Sequence, residues 1–118
     1  MQRTLLKSKL HGATVTQADM HYEGSISIDR ELLKQANMLP YEKVDIYNIT
    51  NGNRFSTYII EGERGEIGLN GAAARLVQVG DQIIIATFAS YFDDECLGHK
   101  ALKLIMGRDN TVKQSLHD

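Results

Sequence analysis

Two β-rich runs, 44–50 and 54–60, flank the dipeptide Asn51-Gly52. Asn-Gly between such runs is a strong hairpin signal, because both residues accept the positive φ that a tight type I′ turn demands. The pattern predicts a two-stranded antiparallel unit closed by a two-residue loop. Alternation along its second strand puts Arg54, Ser56 and Tyr58 on one face and Phe55, Thr57 and Ile59 on the other. A lone hairpin is marginal in water, so the rest of the chain must cover it.

It does so in short pieces. Residues 3–10 and 13–18 read as strands separated near Gly12, and Ser25-Ile26-Ser27-Ile28 alternates as a short half-buried strand. Asp29 stands as the N-cap of a helix through Leu32, Leu33 and Ala36 that stops near Asn37, ahead of Pro40. Asn70 is placed to cap a short helix over 72–76, and Gly80-Asp81 turns the chain into a buried run at 83–88. Residues 103–106 read as a final strand, 90–100 carry no firm pattern, and 110–118 read as a loose polar end. Many short strands and two short helices predict a mainly β chain, a small closed or nearly closed barrel.

With 118 residues, 42% of them hydrophobic, the chain is expected to form a single domain over 1–118 with a core that needs no staples. The formal charge of −2, without a basic stripe, argues against nucleic acid as a partner. The longest apolar run, Ile83-Ile84-Ile85-Ala86, is too short to span a bilayer, and residues 1–15 hold no apolar stretch of the secretory kind. Cys96 is the only cysteine, which fits a reducing cytoplasm. The four histidines, His11, His21, His99 and His117, lack ligand-like spacing, so no metal is expected.

Chemistry concentrates in a few places. In Gly24-Ser25, the Ser25 hydroxyl can attack the Gly24 carbonyl, since glycine has no Cβ to block the approach. β-Elimination of the resulting ester cuts the chain, and loss of the residue's amino nitrogen as ammonia on hydrolysis leaves a pyruvoyl ketone in place of Ser25. The same dipeptide is also an ordinary turn pair. Arg54 offers a planar fork for a carboxylate and Tyr58 a phenolic proton, though both also suit a solvated hairpin face. Lys9 and His11 alternate onto one face of the first strand, which is equally a plain solvent edge. The small residues of Asn70-Gly71-Ala72-Ala73-Ala74 allow a ligand close to the backbone, or simply pack tightly.

Taken together these stretches resemble the aspartate 1-decarboxylase family. The matching pieces are Lys9-Leu10-His11, Asp19 onward to Tyr22-Glu23-Gly24-Ser25, Ile28-Asp29, Thr50-Asn51-Gly52, Arg54-Phe55-Ser56-Thr57-Tyr58, Arg64-Gly65, Leu69 to Ala74, and Val79-Gly80-Asp81. They run in consistent order over about residues 3–90, with a loop between Gly65 and Asn70 that is shorter than in many relatives.

The resemblance implies a six-stranded double-psi β barrel that assembles as a homotetramer with sites at subunit boundaries. It implies self-cleavage between Gly24 and Ser25, assisted by Thr57, into a 1–24 chain and a 25–118 chain that begins with the pyruvoyl group. The substrate is then L-aspartate, joined through a Schiff base, with Tyr58 as proton donor and no pyridoxal phosphate or metal. Lys9, Arg54, Thr57, Gly71, Ala72 and Ala73 would bind substrate, and His11, Tyr22, Asn70 and Ile84 would support the pocket. The product is β-alanine, for pantothenate and coenzyme A. A maturation factor assists cleavage in some bacterial relatives. Two alternatives stay open: a non-catalytic small barrel that binds a partner, and a self-cleaving decarboxylase for another amino acid.

Overall fold

The computed structural model describes residues 1–23 and 25–118. Nine strands form along the chain: β1 (Gln2–Thr14), β2 (Gln17–Asp19), β3 (Ser25–Asp29), β4 (Lys43–Asn48), β5 (Arg54–Gly62), β6 (Ile67–Asn70), β7 (Gln82–Phe92), β8 (Leu102–Met106) and β9 (Val112–His117). Helix α1 (Arg30–Ala36) follows β3, a 3-10 helix (Gly71–Leu76) follows β6, and α2 (Asp93–Cys96) follows β7. The mainly β expectation is borne out. Nine strands are described in all, the three-residue β2 and the tail strand among them.

Hydrogen bonding links them in the order β2-β6-β3-β5-β4-β7-β1-β8-β9. β5 changes partner along its length. Residues 54–58 pair antiparallel with β4, and residues 59–62 pair parallel with β3. Leu10, Ile26, Ile28, Ile46, Ile59, Ile67, Leu69, Ile83 and Ile85 are wholly buried, so the core fills from both halves of that order. Each such side chain contributes about 1.5–3 kcal/mol on leaving water.

Local signals explain much of this. Asp29 accepts the Glu31 N–H at 2.8 Å and so starts α1, and Asn37 ends it in the left-handed conformation. Gly12 does not separate a pair of strands. It sits in a bulge within one continuous β1, with φ +85°.

The hairpin forms, but its loop is longer than two residues. Asn48 donates its N–H to the Asn53 carbonyl at 2.8 Å, leaving 49–52 as the loop. The Asn48 side chain accounts for the difference: its Oδ1 accepts from the Thr50 and Asn51 N–H groups at 2.9 and 3.3 Å. Of the Asn51-Gly52 pair, only Gly52 takes a positive φ.

The tail also departs from expectation. Residues 112–117, read as loose, form β9 and pair antiparallel with β8. Reciprocal backbone bonds between Ala101 and Asp118 and a Lys103–Asp118 ion pair at 2.6 Å close that ladder. No helix among the described residues is long and apolar enough to cross a membrane.

Candidate active site

The partner change in β5 places the candidate centre. Ile26 of β3 pairs with Ile59 of β5, so Ser25 lies one residue before that rung on β3, as Tyr58 does on β5. On its other side Ser25 pairs with Asn70 of β6. Ser25 is thereby held at the start of a strand between the two β elements that carry the other motifs.

Ser25 is 1% exposed. Its hydroxyl donates to the Glu23 carbonyl at 3.3 Å and accepts from Asn70 Nδ2 at 3.2 Å. Asn70 Nδ2 also donates to Ser27 Oγ at 3.0 Å. Asn70 therefore does not cap the 3-10 helix, because its amide is turned onto the two serines instead. Its Oδ1 is buried with no hydrogen-bond partner among the described residues. A buried acceptor left open costs free energy unless a donor arrives, which makes this atom a docking point for one.

A cavity of about 230 Å³ opens here, lined by Ser25, Phe55, Ser56, Thr57, Tyr58, Asn70, Ala72, Ala73 and Leu76. Six of the residues singled out from the sequence thus share one cavity. Gly71, at φ +64°, makes the left-handed step that carries the chain from β6 into Ala72 and Ala73, a conformation that favours glycine. Gly24 lies outside the described residues.

The far end of the 3-10 helix is pinned by the hairpin. The Leu76 carbonyl accepts from Asn48, Asn51 and Asn53 side-chain amides at 3.3, 3.1 and 3.2 Å. Asn48 Nδ2 also donates to buried Asp81 at 2.9 Å. The loop that closes β4 and β5 therefore fixes the wall on which Ala72 and Ala73 stand.

Lys9, His11, Arg54 and Ile84 do not line that cavity. Cross-strand register sets His11, Ile84, Tyr47 and Arg54 in one row across β1, β7, β4 and β5, with Lys9, Ala86, Asp45 and Ser56 in the next. Both rows lie on the sheet face opposite the buried Leu10, Ile85 and Ile46. Tyr22 stands apart from both groups and is exposed.

On this outer face the Arg54 guanidinium lies 3.9 Å above the Tyr47 ring, and the Tyr47 hydroxyl donates to Asp45 Oδ2 at 3.2 Å. Burial, then the Asp45 charge and hydrogen bond, push the Tyr47 phenol up, and Arg54 opposes them. Burial, then the Lys9 charge, pull His11 below its ordinary value. Sequence reasoning gave no site role to Tyr47, Asp45, Phe55, Ser56 or Leu76. A correct hairpin register was the signal that reaches the first two. Among the described residues no group of three His, Cys, Asp or Glu is placed to hold a metal ion.

The family model described as aspartate decarboxylase matches residues 1–113. The chain belongs to the aspartate decarboxylase family. The match extends beyond the 3–90 stretch that motifs covered and into β9. Proteins named aspartate 1-decarboxylase are similar over nearly their whole length. One from Ralstonia nicotianae is 53% identical over 97% of this chain and 97% of its own. Another from Syntrophus aciditrophicus is 54% identical over 96% of this chain and 99% of its own. A third, from Maricaulis maris, is 54% identical over 95% and 94%.

Proposed function

We propose that this chain converts L-aspartate to β-alanine and CO2, for pantothenate and coenzyme A synthesis. It does so with a pyruvoyl group made from its own Ser25. The observation that carries the reading is a buried serine hydroxyl in a cavity shared with Thr57 and Tyr58, in a chain whose relatives bear this enzyme's name. Cleavage between Gly24 and Ser25 divides one 1–118 domain into a 1–24 chain and a 25–118 chain, with the Thr57 hydroxyl polarising the carbonyl under attack.

The residues present fit the group. Asn70 Nδ2 donates to Ser25 Oγ, the oxygen that would leave with the Gly24 carboxylate on β-elimination. Its departure would free this donor for the ketone oxygen that water adds at the adjoining Cα. The pyruvoyl group supplies an electrophilic carbonyl that takes the substrate amine and draws off the electrons released with CO2. The chain's own groups do the remainder. Ala72 and Ala73, with Gly71 behind them, leave the backbone open to substrate, and a larger side chain there fills the cavity. Tyr58 delivers its phenolic proton to the former α-carbon. Arg54 and Lys9 neutralise the two substrate carboxylates.

Since Lys9, His11, Ile84 and Arg54 do not line the Ser25 cavity, a second copy is what would bring such groups to it. This supports a homotetramer with sites at subunit boundaries. The single free Cys96 supports a cytoplasmic location.

The mass spectrum of the denatured protein tests the reading. Two chains split after position 24, the longer beginning with pyruvoyl, are expected, along with β-alanine formation from L-aspartate. Ser25→Ala should give a folded, uncut, inactive protein, and activity in that variant sinks the mechanism. Turnover of glutamate or ornithine in preference to aspartate reassigns the substrate. An uncut wild-type chain that is cut after addition of host extract points to a maturation factor.

A further inference from the structure

Arg54 is a long exposed side chain that makes no ion pair among the described residues, and yet it is not loose. Its guanidinium lies over the ring of Tyr47, directly opposite in the β4–β5 register, with 3.9 Å from its central carbon to the ring centroid. Stacking by one flat face leaves the N–H donors along the guanidinium edge free for a ligand. The ring is itself fixed. It is half-buried between its cross-strand neighbours Ile84 and Arg54, and its hydroxyl donates to Asp45 Oδ2 at 3.2 Å.

A cavity of about 270 Å³ opens at this point, lined by Asp45, Tyr47, Arg54, Phe55 and Ser56. Asp45 contributes a carboxylate to it, which would repel an anionic ligand. The Tyr47 hydroxyl engages that carboxylate on one oxygen, and the phenol is held in its donating form by the burial and charge described above.

We propose that Tyr47, tethered by Asp45, is a positioning residue that presents the Arg54 guanidinium to a substrate carboxylate and so sets affinity for the dicarboxylic amino acid. The inference rests on the reading of Arg54 as a carboxylate ligand. Tyr47 touches no reacting atom in this scheme. Its contribution is the pre-set orientation of a side chain that would otherwise have to be ordered by each substrate molecule.

The test compares Tyr47→Leu, Tyr47→Phe and Tyr47→Trp in the wild-type background, and Tyr47→Leu combined with Arg54→Ala, all in the purified, self-cleaved protein. Mass spectra should show normal cleavage in every variant, since the Ser25 cavity is not touched. Tyr47→Leu should raise KM for L-aspartate by roughly 2- to 30-fold, the span of a cation–π contact, with kcat nearly unchanged. Tyr47→Phe, which keeps the ring and loses the tether, should show a smaller rise, and Tyr47→Trp should hold the wild-type KM. In the Arg54→Ala background, Tyr47→Leu should add nothing.

A wild-type KM in Tyr47→Leu overturns the proposal, as does an equal rise in both backgrounds. A wild-type KM in Arg54→Ala overturns the underlying role of Arg54, a failure told apart from the first by that single variant. If Tyr47→Leu does not fold, Tyr47→Phe and Tyr47→Trp still decide: equal KM rises in both, despite the retained rings, count against stacking.

Discussion

The two faces of β5 live under different constraints. Phe55, Thr57 and Ile59 point toward the core side, where Ile59 is wholly buried and Thr57 lines the Ser25 cavity. Arg54, Ser56 and Tyr58 point outward, and Tyr58 is 40% exposed. The inner face is mostly packed within one chain, with Thr57 left facing the cavity. The outer face carries a stacked arginine and a partly exposed phenol whose donors find no acceptor among the described residues. One strand thus joins a largely packed face, open at Thr57, to an exposed face whose polar groups are open to a ligand.

Breaking each face should therefore break different things. The largest effect expected is on turnover: Tyr58→Phe should cleave itself normally and then decarboxylate about 10²- to 10⁴-fold more slowly, the usual worth of a general acid. Single-turnover kinetics check it, and wild-type turnover removes Tyr58 from the reaction. Ile59→Ala, one residue along and on the other face, should instead lower stability by about 2–5 kcal/mol through the cavity it leaves. Denaturant unfolding of the Ser25→Ala precursor measures that loss without the complication of a cut chain.

Arg54→Ala should leave stability nearly untouched and raise KM for aspartate about 10- to 150-fold, matching about 1.5–3 kcal/mol for a charged hydrogen bond. A change in unfolding midpoint with no change in KM would reverse the comparison between the faces. The smallest effect belongs to His11. Its folded pKa lies below 6.5, so the folded state binds fewer protons than the unfolded one near that pH. Stability should be full above pH 6.5 and fall as pH drops toward the folded pKa. Thermal unfolding against pH checks this, and His11→Gln should flatten that region of the curve.

The hairpin shows how much of the molecule could be read in the sequence. Its existence followed from Asn51-Gly52, but a two-residue loop there pairs Tyr47 with Ser56. The Asn48 side chain holds a longer loop, shifts the register by two, and sets Arg54 opposite Tyr47 instead. The stacked pair was therefore hidden by a local capping choice, one that propensity does not rank. β9 was hidden for another reason. Its burial alternates only weakly, and its order comes from β8 and from Asp118 closing on Ala101, contacts far apart from any turn signal. Ser25, Thr57, Tyr58 and Asn70 were each visible as motif residues. Their meeting was legible only through the family resemblance, because pattern does not reveal β3 lying parallel to β5 and antiparallel to β6.

The position of β1 has a consequence for a chain cut after residue 24. β1 is an interior strand, with β7 along one edge and β8 along the other, and Leu10 at its middle is wholly buried. The short piece is therefore clasped on two sides and cannot dissociate without opening both ladders. Such a protein behaves in native solution as one body, and only denaturant reveals two polypeptides. Once denatured, it must find its missing strand by collision. Folding of each protomer of the cut form then becomes second-order and speeds up with concentration, whereas the protomer of the uncut form folds in a first-order step that precedes any assembly.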